Sequence, residues 1–487
     1  MTAIPSSKPR RPNIVLLMAD QQKASSLPLY GNPDTHTPTL DALAARGVWA
    51  RDFFVAHPFC FPSRCSLMTG RYAHAHGVRG NGRTLVEDEI PLSVHLQRAG
   101  YRTGVVGHFH GGRAGGERGF EFTAEMTKGR QGEAWRLHSE LVKAAPRRTA
   151  HMTASVPLAA DEDVDGLMTG DAITFLKSVP DDEPFFLHVA WIAPHPPYFA
   201  PPPYDAMYDP ASLAYPAQEP PDAIKPAVYL QTAQDMGTLD APEAELRQAL
   251  ATYYGMVSML DDQLARLLRF LETSGRLDDT IVVYTADHGD YAGEHGMWAK
   301  SCTLYDCLVR VPFVMAGPSD LIPAGGTLEG LLQSVDLMPT LLDLIGVPIP
   351  PDVHGHSLRP LWGGDDRGAR APSPSSGREA VLPQTGRTGF DIAFAEVGAF
   401  PVEMVADRER GNNIPNGPPA SGRQVELSVM ARTSEWKLIY TPGRDIQELY
   451  HVASDPGELR NRYGEPALQS VVDTLRARIQ DWMLTQV

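Results

Sequence analysis

The sequence predicts an α/β fold: a mainly parallel central sheet flanked by helices, followed by a small antiparallel sheet with one packed helix. Three observations lead there. Short apolar, β-branched runs alternate with segments of helical period from Asn13 to Thr285. Those runs are apolar throughout rather than at every second residue, the pattern of strands covered on both faces. After a stretch rich in Gly, Pro, Ser and Arg, several short strand-like runs and a final amphipathic segment close the chain.

Taken in order, Asn13 to Met18 reads as a buried strand ending at Ala19-Asp20-Gln21. Thr39 to Gly47 reads as a helix closed by glycine, and Val48 to Val55 as the next strand. A helix is expected from Ser63 to Met68, just behind Cys60, and another over Ile90 to Ala99. Thr103 to Val106 is a strand running into Gly107-His108-Phe109-His110, and Phe185 to Ile192 one that stops at Pro194-His195-Pro196-Pro197. From Leu246 to Ser274 the apolar spacing is helical, with Met256, Leu260, Leu264, Leu267 and Leu271 on one face and Gly275 as the stop. Thr280 to Thr285 is a β-branched strand ending at Ala286-Asp287-His288-Gly289. In parallel sheets ligands bind beyond the carboxyl ends of the strands, so Asp20, His110, His195 and Asp287 are expected along one rim.

Gly363 to Arg378 and Arg408 to Arg423 carry no apolar period, and each reads as a linker or flexible loop. Strand-like runs follow at Ile392–Val397, Val425–Ala431, Trp436–Tyr440 and Glu448–Val452, then a helix over about Leu468 to Met483. The expected division is a catalytic α/β domain at 1–364, a linker at 365–390 and a small α+β subdomain at 391–487.

At 487 residues the chain can bury a large core. Its net charge of −16 argues against nucleic acid and anionic membrane surfaces as partners. It does not forbid an anionic substrate, since local cations set the field in a pocket. No apolar run is long enough for a membrane span, and Ile14 to Met18 is too short for a signal-peptide core. The four cysteines (60, 65, 302 and 307) fit neither a disulfide framework nor a zinc template. A cytoplasmic protein is expected.

The most specific string is Cys60-Phe61-Pro62-Ser63-Arg64, continued by Thr69-Gly70-Arg71. It resembles the signature of type I sulfatases, within the alkaline phosphatase superfamily. The likeness extends along the chain. Gly100-Tyr101-Arg102-Thr103, Asp287-His288-Gly289 with Glu294-His295-Gly296, Val335-Asp336 to Thr340 and Asp455-Pro456-Gly457-Glu458-Leu459 all resemble family segments in the family's order. The resemblance implies an alkaline-phosphatase-like fold and a sulfuric ester hydrolase that releases sulfate from an aryl or carbohydrate-like ester.

It also implies that a maturation enzyme oxidises Cys60 to formylglycine, the catalytic nucleophile. Asp20, Gln21, Asp287, His288 and the Cys60-derived hydroxyl would hold one divalent cation: Ca²⁺ foremost, with Mn²⁺ and Mg²⁺ as alternatives. Arg64 would hold the second hydroxyl of the hydrated aldehyde. Lys300 resembles the lysine that contacts the sulfate, and His195 the histidine that protonates the leaving oxygen. His110 matches the histidine of the family's G-K-W-H motif, while His108 stands where that motif has lysine. Asn81, in Gly80-Asn81-Gly82, fits a contact to the ester oxygens or a plain turn. Cys65 is read as packing, and His57, His74 and His76 as loop residues.

A second likeness bears on the substrate. Pro194 to Tyr198 and Ala200 to Tyr208 resemble a stretch of phosphonate monoester hydrolases, formylglycine relatives that cleave phosphonate and phosphate esters. A phosphonate or phosphate mono- or diester hydrolase is therefore one alternative. The alternative of another class is a non-catalytic binding protein with Cys60 unmatured. The Pro-rich excursion Ala200 to Lys225 is compatible with a homo-oligomer.

Overall fold

The computed structural model describes residues 11–486 apart from 82, 111–116, 126–131, 145–148, 221, 363–389, 399–426 and 445. The expected linker 365–390, the Arg408 to Arg423 loop and the first residues of the Val425–Ala431 run therefore lie almost wholly outside the described residues. Strands in chain order are β1 (Asn13–Asp20), β2 (Gly47–Phe54), β3 (Arg102–Gly107), β4 (Phe122–Glu125), β5 (Thr153–Ser155), β6 (Phe185–Pro194), β7 (Tyr198–Ala200), β8 (Thr280–Ala286), β9 (Phe313–Ala316) and β10 (Gly326–Gln333). Eight of them form the main sheet, in the order β10-β2-β9-β8-β1-β6-β3-β4.

Every residue of β1 is buried, as only a central strand covered on both faces can be. It pairs in parallel with β6 on one side and β8 on the other. β3 continues the parallel set beyond β6. The sheet is not parallel throughout: the short β9 runs antiparallel to both β2 and β8. The four strands whose ends carry Asp287, Asp20, His195 and His110 (β8, β1, β6 and β3) are consecutive and parallel, so their carboxyl ends share one edge.

Helices cover the sheet. Glu243–Thr273 buries Tyr253, Val257, Leu260, Leu264, Leu267 and Leu271, steps of three and four residues that form one apolar stripe. It packs on Pro38–Ala45 and Val164–Ser178. Its Asp261 carboxylate accepts the backbone N–H groups of Thr39 and Leu40 at 2.9 and 2.8 Å, satisfying donors that a helix start leaves open. Cys60–Thr69, Leu92–Arg98 and Leu337–Leu344 form a second group.

The C-terminal sheet is β11 (Ala393–Val397), β12 (Ser428–Arg432), β13 (Lys437–Tyr440) and β14 (Glu448–Tyr450), antiparallel throughout. Its side chains alternate in allegiance. Ala395, Met430, Ile439 and Tyr450 join the main core, while Phe394, Ala431, Leu438 and Leu449 pack with the helix Gln469–Thr485. Among the described residues no helix is long and apolar enough to cross a membrane, and the four cysteines are free.

Two expectations need correction. The helix read as starting at Ser63 begins at Cys60, so the cysteine lies within its first turn rather than ahead of it. The helix read over Ile90 to Ala99 spans Leu92–Arg98, because Pro91 supplies an extended N-cap.

Candidate active site

Cys60 opens its helix after the extended Phe59, which offers no capping side chain. The cap comes from a distant residue: Asn81 Oδ1 accepts the Phe61 N–H at 3.0 Å. That bond uses the carbonyl end of the Asn81 carboxamide to fix the helix that carries Cys60. Ser63 Oγ donates to the Asp287 backbone oxygen at 2.5 Å, pinning the same helix to the end of β8. Cys65 packs with Phe61, Val78 and Leu85, as its sequence position implied.

Asp20 and Asp287 end adjacent strands, and both carboxylates are buried. Two buried like charges at close range need a shared cation. Arg64 supplies it from one turn into the helix. Its Nε lies 2.9 Å from Asp287 Oδ2, and its Nη2 lies 3.0 Å from Asp20 Oδ2 and 2.7 Å from Asp287 Oδ2. Its Nη1 donates to the His108 carbonyl. Burial alone would raise the Asp287 carboxyl; Arg64, with His288 and Lys300, instead holds it well below the carboxylate range.

The loop after β8 brings His288 in beside Asp287. Gly289 makes this possible, since a Cβ there would meet the Cys307 backbone oxygen at 1.9 Å. His288 Nδ1 donates to the Gly289 carbonyl at 2.9 Å, which leaves Nε2 with a lone pair facing the site. That Nε2 lies 3.2 Å from Cys60 Sγ and 2.9 Å from Lys300 Nζ. Burial and the Lys300 ammonium lower the imidazole to about 4, so it is neutral near pH 7.

Lys300 Nζ is also 2.9 Å from Cys60 Sγ. Its burial favours the neutral amine, but Cys60, Asp20 and Asp287 around it outweigh that and keep it charged. The Cys60 thiol is pushed up to about 12, first by burial and then by Asp20. The sulfur is thus a protonated thiol at neutral pH, a weak nucleophile and a weak ligand.

Asp20, Cys60, Asp287 and His288 each offer one ligand atom, all within 4.8 Å of one another and all buried. Gln21 borders this set. Its backbone is left-handed (φ 70°), its N–H donates to Asp287 Oδ1 at 3.0 Å, and its side-chain Oε1 is buried without a hydrogen-bond partner among the described residues. An orphaned buried carbonyl oxygen, on a residue whose backbone N–H bonds Asp287, suits a hard cation.

Three histidines stand nearby. His108 and His110 lie with ring centroids 4.2 Å apart, and His110 Nε2 is buried without a partner among the described residues. His195 Nδ1 donates to the Pro196 carbonyl at 2.6 Å. Burial is the main cause that lowers all three, helped by Arg64 at His108, His108 at His110 and Lys300 at His195. His108 comes to about 4 and His195 to about 3, so neither carries a fixed charge at neutral pH. His74 and His76, in the short helix Ala73–His76 rather than a loop, bond Glu396 and Ser66 instead.

Sequence reasoning passed over Asp290 and Tyr198. Asp290 is fully buried and accepts from Gln21 Nε2 and the Tyr198 hydroxyl, both at 2.8 Å. Its place three residues after Asp287 was the available signal.

A family model described as Sulfatase matches residues 12–347. The chain belongs to the sulfatase family. It is a hydrolase acting on sulfate esters. The multifunctional alkaline phosphatase superfamily protein PehA of Trinickia caryophylli is 30% identical over 399 residues, covering 72% of this chain and 77% of that protein. An arylsulfatase of Clostridium perfringens is 28% identical over 387 residues, 72% of this chain and 78% of its own. Among solved structures, the phosphonate monoester hydrolase of Agrobacterium radiobacter superposes with a TM-score of 0.76 at 25% identity, covering 98% of this chain and 96% of that one.

Proposed function

We propose that Cys60, matured to formylglycine, is the nucleophile of this sulfate ester hydrolase, and that Asp20, Gln21, Asp287, His288 and the Cys60-derived oxygen hold one divalent cation. The observation that carries this reading is the convergence of Lys300 Nζ and His288 Nε2 on Cys60 Sγ, at 2.9 and 3.2 Å. A thiol raised to about 12 would attack poorly, so the position calls for a different nucleophile. The hydrated aldehyde provides two hydroxyls on one carbon, one to attack the ester sulfur and one whose deprotonation releases sulfate. Bound at this donor set, the cation would act as a Lewis acid and acidify the attacking hydroxyl. Four oxygen donors favour Ca²⁺ and allow Mg²⁺, and the imidazole nitrogen admits Mn²⁺.

The chain's own residues do the rest. Arg64 is committed to the two carboxylates, so its work is to hold Asp20 and Asp287 in place rather than to grip substrate. Lys300 is the buried ammonium left to face the ester oxygens. His195 protonates the leaving oxygen as an imidazolium, a form that burial first and Lys300 second disfavour and that a bound ester anion favours. Asn81 anchors the helix through its oxygen and keeps its amide N–H groups for the ester.

A phosphonate ester preference is the second reading. It is favoured by the neutral His108 where the family has lysine, and by the likeness to the Agrobacterium radiobacter enzyme. Side-by-side kcat/KM values for an aryl sulfate and an aryl phosphonate separate the two. A dominant sulfate rate is expected, and a dominant phosphonate rate would overturn the first reading. The mass of the tryptic peptide carrying Cys60 tests maturation. An unmodified cysteine in protein that does not turn over would instead support a binding role.

A further inference from the structure

Asp290 lies outside the proposed ligand set, yet its carboxylate is completely buried and fully used. Oδ1 accepts the Ala292 N–H at 2.7 Å, and Oδ2 accepts from both Gln21 Nε2 and Tyr198 OH at 2.8 Å. With both Asp290 oxygens accepting, the Gln21 carboxamide turns its NH₂ toward that carboxylate. The opposite end of that amide is then its carbonyl oxygen, the buried Oε1 that has no partner among the described residues. The Gln21 main chain is held as tightly: its N–H is bonded to Asp287, its carbonyl accepts from Tyr253 OH at 3.2 Å, and its φ is 70°. A non-glycine residue held left-handed, with a buried oxygen unsatisfied, stores cost that a ligand at that oxygen would offset.

We propose that Asp290 is a positioning residue that orients the Gln21 carboxamide so that its carbonyl oxygen, rather than its NH₂, faces the divalent cation. Without that anchor the two ends of the amide are nearly isosteric, and a flipped amide would aim two N–H groups at a cation. Tyr198 contributes by fixing Asp290 Oδ2 from the other side. The inference rests on the reading of Gln21 as a ligand, and the experiment separates the two.

Full-length protein stripped with a chelator is titrated with CaCl₂ and with MnCl₂ by calorimetry, and the thermal midpoint of each metal-free variant is recorded. Gln21→Ala is expected to weaken binding. Asp290→Ala is expected to weaken it about 10- to 100-fold, the usual range for residues that orient a ligand. In the Gln21→Ala background, Asp290→Ala should add nothing, because its effect passes through that side chain. An equal further loss in that background would overturn the proposal, since Asp290 would then act by its charge or through the fold. Unchanged affinity in Asp290→Ala would overturn it too. If Gln21→Ala itself leaves affinity unchanged, the ligand reading fails and the positioning role with it. Should Asp290→Ala not fold, the near-isosteric Asp290→Asn decides: one acceptor oxygen then serves three donors. Weaker binding is expected only when Gln21 is present, and unchanged affinity would overturn the proposal.

Discussion

Arg64 grips Asp287 through two nitrogens on one oxygen: Nε at 2.9 Å and Nη2 at 2.7 Å from Oδ2. The same Nη2 reaches Asp20 Oδ2 at 3.0 Å, so one guanidinium ties the ends of two neighbouring strands to the Cys60 helix. The planar fork of arginine suits this geometry, and a lysine ammonium would not reproduce it.

In chelator-treated protein, Arg64→Ala would leave the buried Asp20 and Asp287 carboxylates without the guanidinium that bridges them. Loss of a buried ion-pair partner costs roughly 3–5 kcal/mol. Urea denaturation should show a loss of that order, and Arg64→Lys should recover only part of it. An Arg64→Ala variant as stable as the parent would show that the carboxylates are not held by this residue.

Cys60→Ala should abolish multiple turnover of an aryl sulfate, and Cys60→Ser should at most support one slow half-reaction. A hydroxymethyl group can attack but lacks the second hydroxyl that releases sulfate. Sustained turnover by Cys60→Ala, followed by released sulfate, would refute the assigned nucleophile.

His108 is lowered to about 4 by burial and then by Arg64, so it is uncharged above about pH 5. Replacing it with glutamine should therefore leave the limbs of the kcat/KM–pH profile between pH 6 and 9 where they are. Movement of either limb in His108→Gln would mean that a charged His108 takes part.

Glu219 bonds His295 at 2.5 Å and pairs with Lys225. Burial would raise this carboxyl, but His295 and Lys225 hold it at about 2, below its ordinary 4.5. A depressed carboxylate contributes stability that is present above its unfolded value and lost as pH falls through the folded one. Wild type should be more stable than Glu219→Gln at pH 6, and the gap should shrink steadily from pH 4.5 toward pH 2. Thermal melts across that range measure it, and a gap that is constant with pH would contradict the pairing.

Much of the centre was legible because chemistry that needs particular residues leaves them in local strings. Cys60 to Arg64, Asp287-His288-Gly289 and Asp20-Gln21 each follow or open an element whose period is readable in the sequence. The parallel run β8-β1-β6-β3 followed from the apolar strands between helices, and it gathers Asp287, Asp20, His195 and His110 on one edge. The antiparallel β9 did not follow. Four residues carry no directional signal, and its orientation is set by the pairing of β2 and β8 on either side.

The sequence by itself determined the family, the fold class and the residue types at the centre, because periodicity and short motifs are local properties. Only the tertiary structure decided what each polar atom does. It assigned Arg64 to bracing two carboxylates, Asn81 to capping a helix twenty residues away, and Asp290 to holding Gln21. Those roles rest on which lone pair meets which donor across distant segments. Burial makes each unpaired polar atom costly, so the packed chain, and no local pattern, fixes them.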